Sequence, residues 1–233
     1  MGTAERRERE REQVRTLILE AARDILSEQG FVALSMRAIA ERIEYSPATI
    51  YLYFKDKDDL IREVVEAGFE RLEAALRDLL SALPETMSAA DQYGATGRAY
   101  ARFALENTAY FRVMFELPGV AHLIECPRPE GGAPRGDVFD DIIALVARAG
   151  EEGSFAIDDA GRAAVIGWGL IHGLVTLYLG GHLASDVGSH DEFLELVEDA
   201  VRVVHTGWGG AGNPQPVNPQ PKPSGVGRGT RNP

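Results

Sequence analysis

The chain has 233 residues, a hydrophobic content of 45% and a formal net charge of −12. That length and composition predict a folded protein with a real core and exclude wholesale disorder. One cysteine, Cys126, excludes an intrachain disulfide and suits a reducing compartment, the cytoplasm.

The charge is uneven along the chain. Residues 1–66 hold 11 basic and 14 acidic groups, residues 67–205 hold 10 and 22, and residues 206–233 hold three basic groups and no acidic one. The acidity belongs mainly to the middle, so the N-terminal part has to be judged by itself. The opening MGTAERRERERE has no apolar signal core. Residues 1–13 read as a solvated, helix-prone charged arm with i,i+4 pairs such as Glu5–Arg9. A phosphate-meeting arm through Arg6, Arg7, Arg9 or Arg11 is the other reading.

Residues 14–56 carry three helical segments. Val14, Leu17, Ile18, Ala21, Ala22, Ile25 and Leu26 form an amphipathic stripe, which Gly30 closes. Ser35 is placed to cap a short helix over Met36–Arg42, whose Met36, Ile39 and Ala40 share a face. Ser46 is the next N-cap, with Pro47 at the first helical position. Asp56 then opens a long helix whose apolar face runs through Leu60, Ile61, Val64, Val65, Gly68 and Leu72.

Residues 57–205 continue as helices, and no stretch alternates with period two, so the fold class is all-α. Ser88 or Asp91 starts one helix and Asn107 a short one, Thr108 to Glu116. Residues 126–136 read as a loop, followed by a helix over Asp137–Arg148. Asp158 or Asp159 caps a long apolar helix to about Leu183, and Glu192–Val204 closes the fold. Residues 206–233 are rich in Gly and Pro, repeat Asn-Pro-Gln-Pro and read as a disordered tail.

Two segments carry the functional signal. Tyr45–Phe54 has no acidic residue in a chain with 36 acids and 24 bases. Ile50 and Phe54, four apart, can bury and leave Pro47, Ala48, Thr49, Tyr51 and Tyr53 outward or lateral. Hydroxyls there can reach phosphates, and a threonine methyl suits thymine. Lys57 sits in the first turn of the next helix, where a cation makes sense beside a docked phosphate; the plainer reading pairs it with neighbouring acids. Three helices with a tight turn before the last read as a helix-turn-helix.

The second segment, Ala163–Leu183, is uncharged over 21 residues and contains Gly169-x-x-x-Gly173. That length could span a membrane, but a dimer core has the same composition, and the flanking amphipathic helices need a partner. Tyr100, Phe103, Phe111, Met114, Phe115, Trp168 and His172 are candidate cavity residues. Each could equally be ordinary core, and His172 could satisfy a buried hydrogen bond. His122 and Cys126 lack a third metal ligand nearby, and no catalytic constellation or cofactor motif is present in the sequence.

Residues 14–66 resemble the DNA-binding domain of the TetR family of transcriptional regulators. The matching residues are Ala21-Ala22, Gly30-Phe31, Ser35 to Ala40, Ser46 to Phe54, and Lys57-x-x-Leu60. The resemblance implies that Arg37 and Thr49 approach bases and that Ser35, Tyr51, Tyr53 and Lys57 hold the DNA backbone. Ser46 opens the recognition helix, and Pro47 and Ala48 touch the groove. Trp168-x-x-x-His172-Gly173 resembles the Trp-His-Gly type of C-terminal domain, which implies a ligand-sensing and dimerisation domain. The implied partners are a double-stranded DNA operator, a second copy of the chain and a small-molecule effector, with no membrane and no cofactor. The implied function is a homodimeric repressor released from a palindromic operator by a small apolar ligand. The rival is a helix-turn-helix protein acting through a protein partner or tethered to a membrane. One departure stands out: the family's turn glycine is Glu44 here, with Tyr45 after it. The turn is expected to survive, with Tyr45 packed inward.

Overall fold

The structure is a computed structural model, and it describes residues 3–116 and 137–209. Among the described residues, nine α-helices and one π-helical turn are the regular elements, and no strand occurs. His122, Cys126, the 126–136 loop and the tail beyond residue 209 lie outside the described residues.

Helix α1, Thr3–Gln29, is one continuous rod, so the charged arm is the start of the first helix. Arg6 pairs with Glu10 at 3.4 Å across one turn. Gly30, at φ +80°, ends α1 by taking the left-handed conformation that glycine accepts without a Cβ penalty. Helix α2, Met36–Arg42, is capped by Ser35, whose hydroxyl accepts from the Ala38 N–H at 3.0 Å. Helix α3, Pro47–Ile50, is capped by Ser46 and followed by a tight turn through Tyr53. Helix α4, Lys57–Ala82, starts at Asp56, whose carboxylate accepts from the Asp59 N–H at 2.8 Å. Asp59 accepts from the Lys55 N–H, one residue before the Asp56 N-cap whose N–H a capping box would use.

The first three helices close over Ile18, Ala22, Ile25, Leu26, Ile39, Ile50 and Phe54, all buried. Leu60, Ile61 and Val64 of α4 belong to the same apolar cluster, so the head has no core separate from the start of α4. Arg42 of α2 holds Glu28 of α1 through two hydrogen bonds of 3.0 Å, a bidentate clasp.

The body is built on α5, Ala89–Glu106, which packs against α4, α7, α8 and α9. Helix α6, Thr108–Phe111, passes into the π-turn Arg112–Glu116. Asn107 precedes α6 but makes no side-chain cap, contrary to the expectation; its amide donates to the Phe103 carbonyl and so serves the end of α5. Helix α7 spans Asp137–Glu151, α8 spans Ala160–Leu179 and α9 spans His190–Trp208. Asp159 caps α8 and Ser189 caps α9.

Helix α9 runs three residues past the expected start of the tail. Trp208 stacks on Tyr93 with ring centroids 6.0 Å apart and meets Phe155 edge-on at 5.2 Å, so aromatic packing carries the helix through Thr206 and Gly207. Helix α8 is long and apolar enough to cross a membrane, with a mean hydropathy of 1.4. Its Ala163, Ala164, Gly167, Ile171 and Val175 are nonetheless buried in the body.

Candidate functional site

The head places its surface residues through caps and anchors. Ile50 and Phe54 are 0% and 2% exposed, and burying a side chain of this kind contributes about 1.5–3 kcal/mol. With those two fixed inward, Ser46, Pro47, Ala48 and Tyr51 face solvent, and Thr49 and Tyr53 are half-buried. Ser46 Oγ accepts from the Thr49 N–H at 3.2 Å and lies 2.9 Å from the Thr49 hydroxyl. Tyr53 packs against the head's core. Leu52, 76% exposed, shares the outward side; its spacing between Ile50 and Phe54 carried that signal, but the sequence reading passed over it.

Ser35 and Arg37 lie on the same exposed part of the chain at the start of α2. Arg37 pairs with Glu41 at 2.8 Å, an exposed i,i+4 bridge of the kind that contributes little and is easily exchanged for another anion. Lys57 is different. Its ammonium donates to the Phe31 carbonyl and sits 3.9 Å over the Phe31 ring, and burial lowers its pKa, which Asp58 partly offsets. It therefore ties the start of α4 to the α1–α2 loop instead of pairing with the neighbouring acids.

The turn between α2 and α3 keeps the geometry a glycine would give. Glu44 has φ 59°. The Tyr45 N–H donates to the Ala40 carbonyl at 2.9 Å and the Glu44 N–H to Glu41 at 3.4 Å, the Schellman pattern. Tyr45 does not pack inward as expected: it is 43% exposed, because this motif turns the chain away from the core before Ser46. Glu44 is exposed beside the candidate surface.

In the body, a cavity of about 150 Å³ lies between α4, α5, α7, α8 and α9. Of the seven candidate cavity residues, Tyr100, Phe115 and Trp168 line it. The other four do not. Phe111 and His172 stand behind that wall, in ring contact with Tyr100 and Phe115. Met114 faces α4, where it fills the notch over Gly68, and Phe103 is buried in the shared core.

The Tyr100 hydroxyl meets His172 Nδ1 at 2.8 Å. Burial raises the Tyr100 pKa and lowers that of His172, so the pair is a protonated phenol and a neutral imidazole. His172 thus satisfies a buried hydrogen bond. The sequence reading missed Tyr93, Thr96 and His205 in the wall. His205 lies outside any motif, and only the packing of α9 on α5 brings it there.

A chain of contacts runs from the cavity to the head. Tyr110 of α6 is buried between Arg23 of α1 and Arg71 of α4, each guanidinium 4.9 Å from its ring. The π-turn that carries Phe115 into the cavity also carries Met114 onto α4. A residue that lines the cavity and one that touches the helix leaving the head are therefore sequence neighbours.

Comparison with known proteins agrees with this anatomy. A family model described as bacterial regulatory proteins, tetR family, matches residues 18–64. A second, described as a tetracyclin repressor-like C-terminal domain, matches residues 94–201. The transcriptional regulator UidR of Escherichia coli is 42% identical over 69 residues, which is 30% of this chain and 35% of UidR. The transcriptional repressor Rv3405c of Mycobacterium tuberculosis is 32% identical over 121 residues, 51% of this chain and 61% of that protein. The chain thus spans about a third of the first relative's length and less than two thirds of the second's. The crystal structure of a TetR family regulator from Marinobacter aquaeolei superposes with a TM-score of 0.65 at 22% identity, over 85% of this chain and 97% of that one, and shows the shared fold. With a tetR-family match on its head and a tetracyclin repressor-like match on its body, the chain belongs to the TetR family of transcriptional regulators.

Proposed function

We propose that the protein is a homodimeric, cytoplasmic repressor that binds a palindromic operator and releases it when a small apolar ligand fills the cavity. The observation that carries this reading is the outward surface of Ser46–Tyr53, free of acids and held on the buried Ile50–Phe54 anchor. On this reading the segment enters a major groove. Arg37 and Thr49 approach bases, and Thr49 does so by exchanging its Ser46 contact. Ser35, Tyr51 and Tyr53 meet the phosphates, while Ser46, Pro47 and Ala48 form the close edge. Lys57 offers a phosphate the donors it does not spend on Phe31. The Trp-His-Gly pattern works as a body motif, with Trp168 on the cavity and His172 bracing Tyr100.

The dimer is read from α8. Val165, Ile166, Leu170 and Leu177 are exposed on one stripe, with Gly169 beside them facing open space. A second copy would bury that stripe and bring two heads to two half-sites. Rv3405c is named a repressor, which supports the sign of the regulation.

The test is a gel-shift titration of the full chain on the DNA upstream of its own gene. A sequence-selective complex that weakens steeply with salt is expected. Tyr51→Ala should weaken binding about equally across sequences and Arg37→Ala should relax sequence selectivity, each costing about 1–3 kcal/mol in binding. Absence of a selective, salt-sensitive shift would refute the reading.

A further inference from the structure

The cavity wall is specific about what it accepts. Phe69, Tyr93, Tyr100, Phe115, Phe139 and Trp168 give it aromatic surfaces on several sides. Its volume, about 150 Å³, suits one six-membered ring: apolar cavities of this size take up benzene. Among the described residues the wall contains Glu73 and neither lysine nor arginine, so an anionic ligand would enter beside a carboxylate with none of these cations to meet it.

Most polar groups on the wall are already engaged. The Thr96 hydroxyl donates to the Tyr93 carbonyl at 2.7 Å, and the Tyr100 hydroxyl is held by His172. His205 Nε2 is different: it is buried and has no hydrogen-bond partner among the described residues. It lies 3.2 Å from where a Cβ on Gly94 would stand, and both residues line the cavity, so a ligand there lies against the imidazole and reaches this nitrogen by a small shift of the ring. An unpaired buried nitrogen is costly, and a ligand that supplied its partner would recover that cost on binding.

We infer that the cavity takes a neutral, single-ring aromatic bearing a hydroxyl group, with the ring among the aromatic walls and the hydroxyl on His205 Nε2. A hydroxyl serves either imidazole tautomer, because it both donates and accepts. This inference rests on the reading of the cavity as the effector site and adds the chemical class of the effector.

The test is a ligand series on the full chain, read by isothermal titration calorimetry and by tryptophan fluorescence. Phenol should bind at least tenfold more tightly than benzene, while benzoate and 1-naphthol should not bind measurably. In a His205→Phe variant that retains the native helical circular dichroism, the phenol advantage should vanish. Should that variant not fold, the native chain's phenol, benzene, benzoate and naphthol series decides alone. Equal binding of phenol and benzene, equal binding of benzoate or naphthol, or no binding of any of them would overturn the inference. Operator binding is measured separately without ligand: its loss faults the regulator reading and leaves the ligand series intact.

Discussion

Glu44 shows how one residue can keep a motif while breaking its rule. The α2–α3 turn needs a left-handed residue, and a non-glycine side chain there is strained by about 1 kcal/mol. Glu44→Gly is therefore expected to stabilise the fold by roughly 0.5–1 kcal/mol, measured by denaturant unfolding at constant m-value. No gain would mean that the Glu44 side chain offsets its own strain. The buried tyrosines give a second residue-scale expectation. Burial pushes the Tyr93 phenol up to about 12 and raises Tyr100 as well. In the unfolded chain both titrate near about 10, so above that pH the folded state holds more protons than the unfolded one. The stability is complete below about pH 10 and is lost as pH climbs towards 12. Tyr93→Phe should flatten this alkaline fall in Tm, and an unchanged slope would exclude Tyr93 as its source.

At the scale of elements, α5 and α8 approach closely because Gly167 has no side chain. A Cβ at that position would overlap the Tyr93 hydroxyl. Tyr93 cannot easily move aside, since it is buried, stacked on Trp208 and set edge-on to Phe155. Gly167→Ala is expected to destabilise the protein by about 1–3 kcal/mol through overpacking. Adding Tyr93→Phe should recover most of that loss in a double-mutant cycle; purely additive effects would show that the strain lies elsewhere. The same contact closes one side of the cavity, which ties the packing of α5 on α8 to the space left for a ligand.

For the whole molecule, α8 separates two apolar faces. One face packs into the body through Ala164, Ile171 and Val175, and the other leaves Ile166 57% exposed. Two copies joined symmetrically would set two introduced carboxylates close together. Ile166→Glu is thus expected to yield monomer in sedimentation equilibrium at micromolar concentration, with the far-ultraviolet circular dichroism of the native chain retained. The loss of the second head should also weaken operator binding by at least tenfold. A dimer that survives the substitution would move the interface away from α8.

The sequence by itself determined most of the elements and their punctuation, the Asn107 cap excepted. Ser35, Ser46, Asp56, Ser88 and Asp159 all cap the helices they precede, and Gly30 ends α1, because capping depends on a few adjacent backbone groups. The Ile50–Phe54 anchor was legible for the same reason, since one helical turn sets its spacing. Tertiary structure alone decided which aromatic residues line the cavity and which stand behind it. The two faces of α8, the outward Tyr45, the Lys57–Phe31 contact and the arrival of His205 beside Gly94 were likewise settled there. These depend on groups far apart in the chain, so no local period records them: His205 meets its cavity only where α9 crosses α5, and Tyr93 meets Gly167 only where α5 crosses α8.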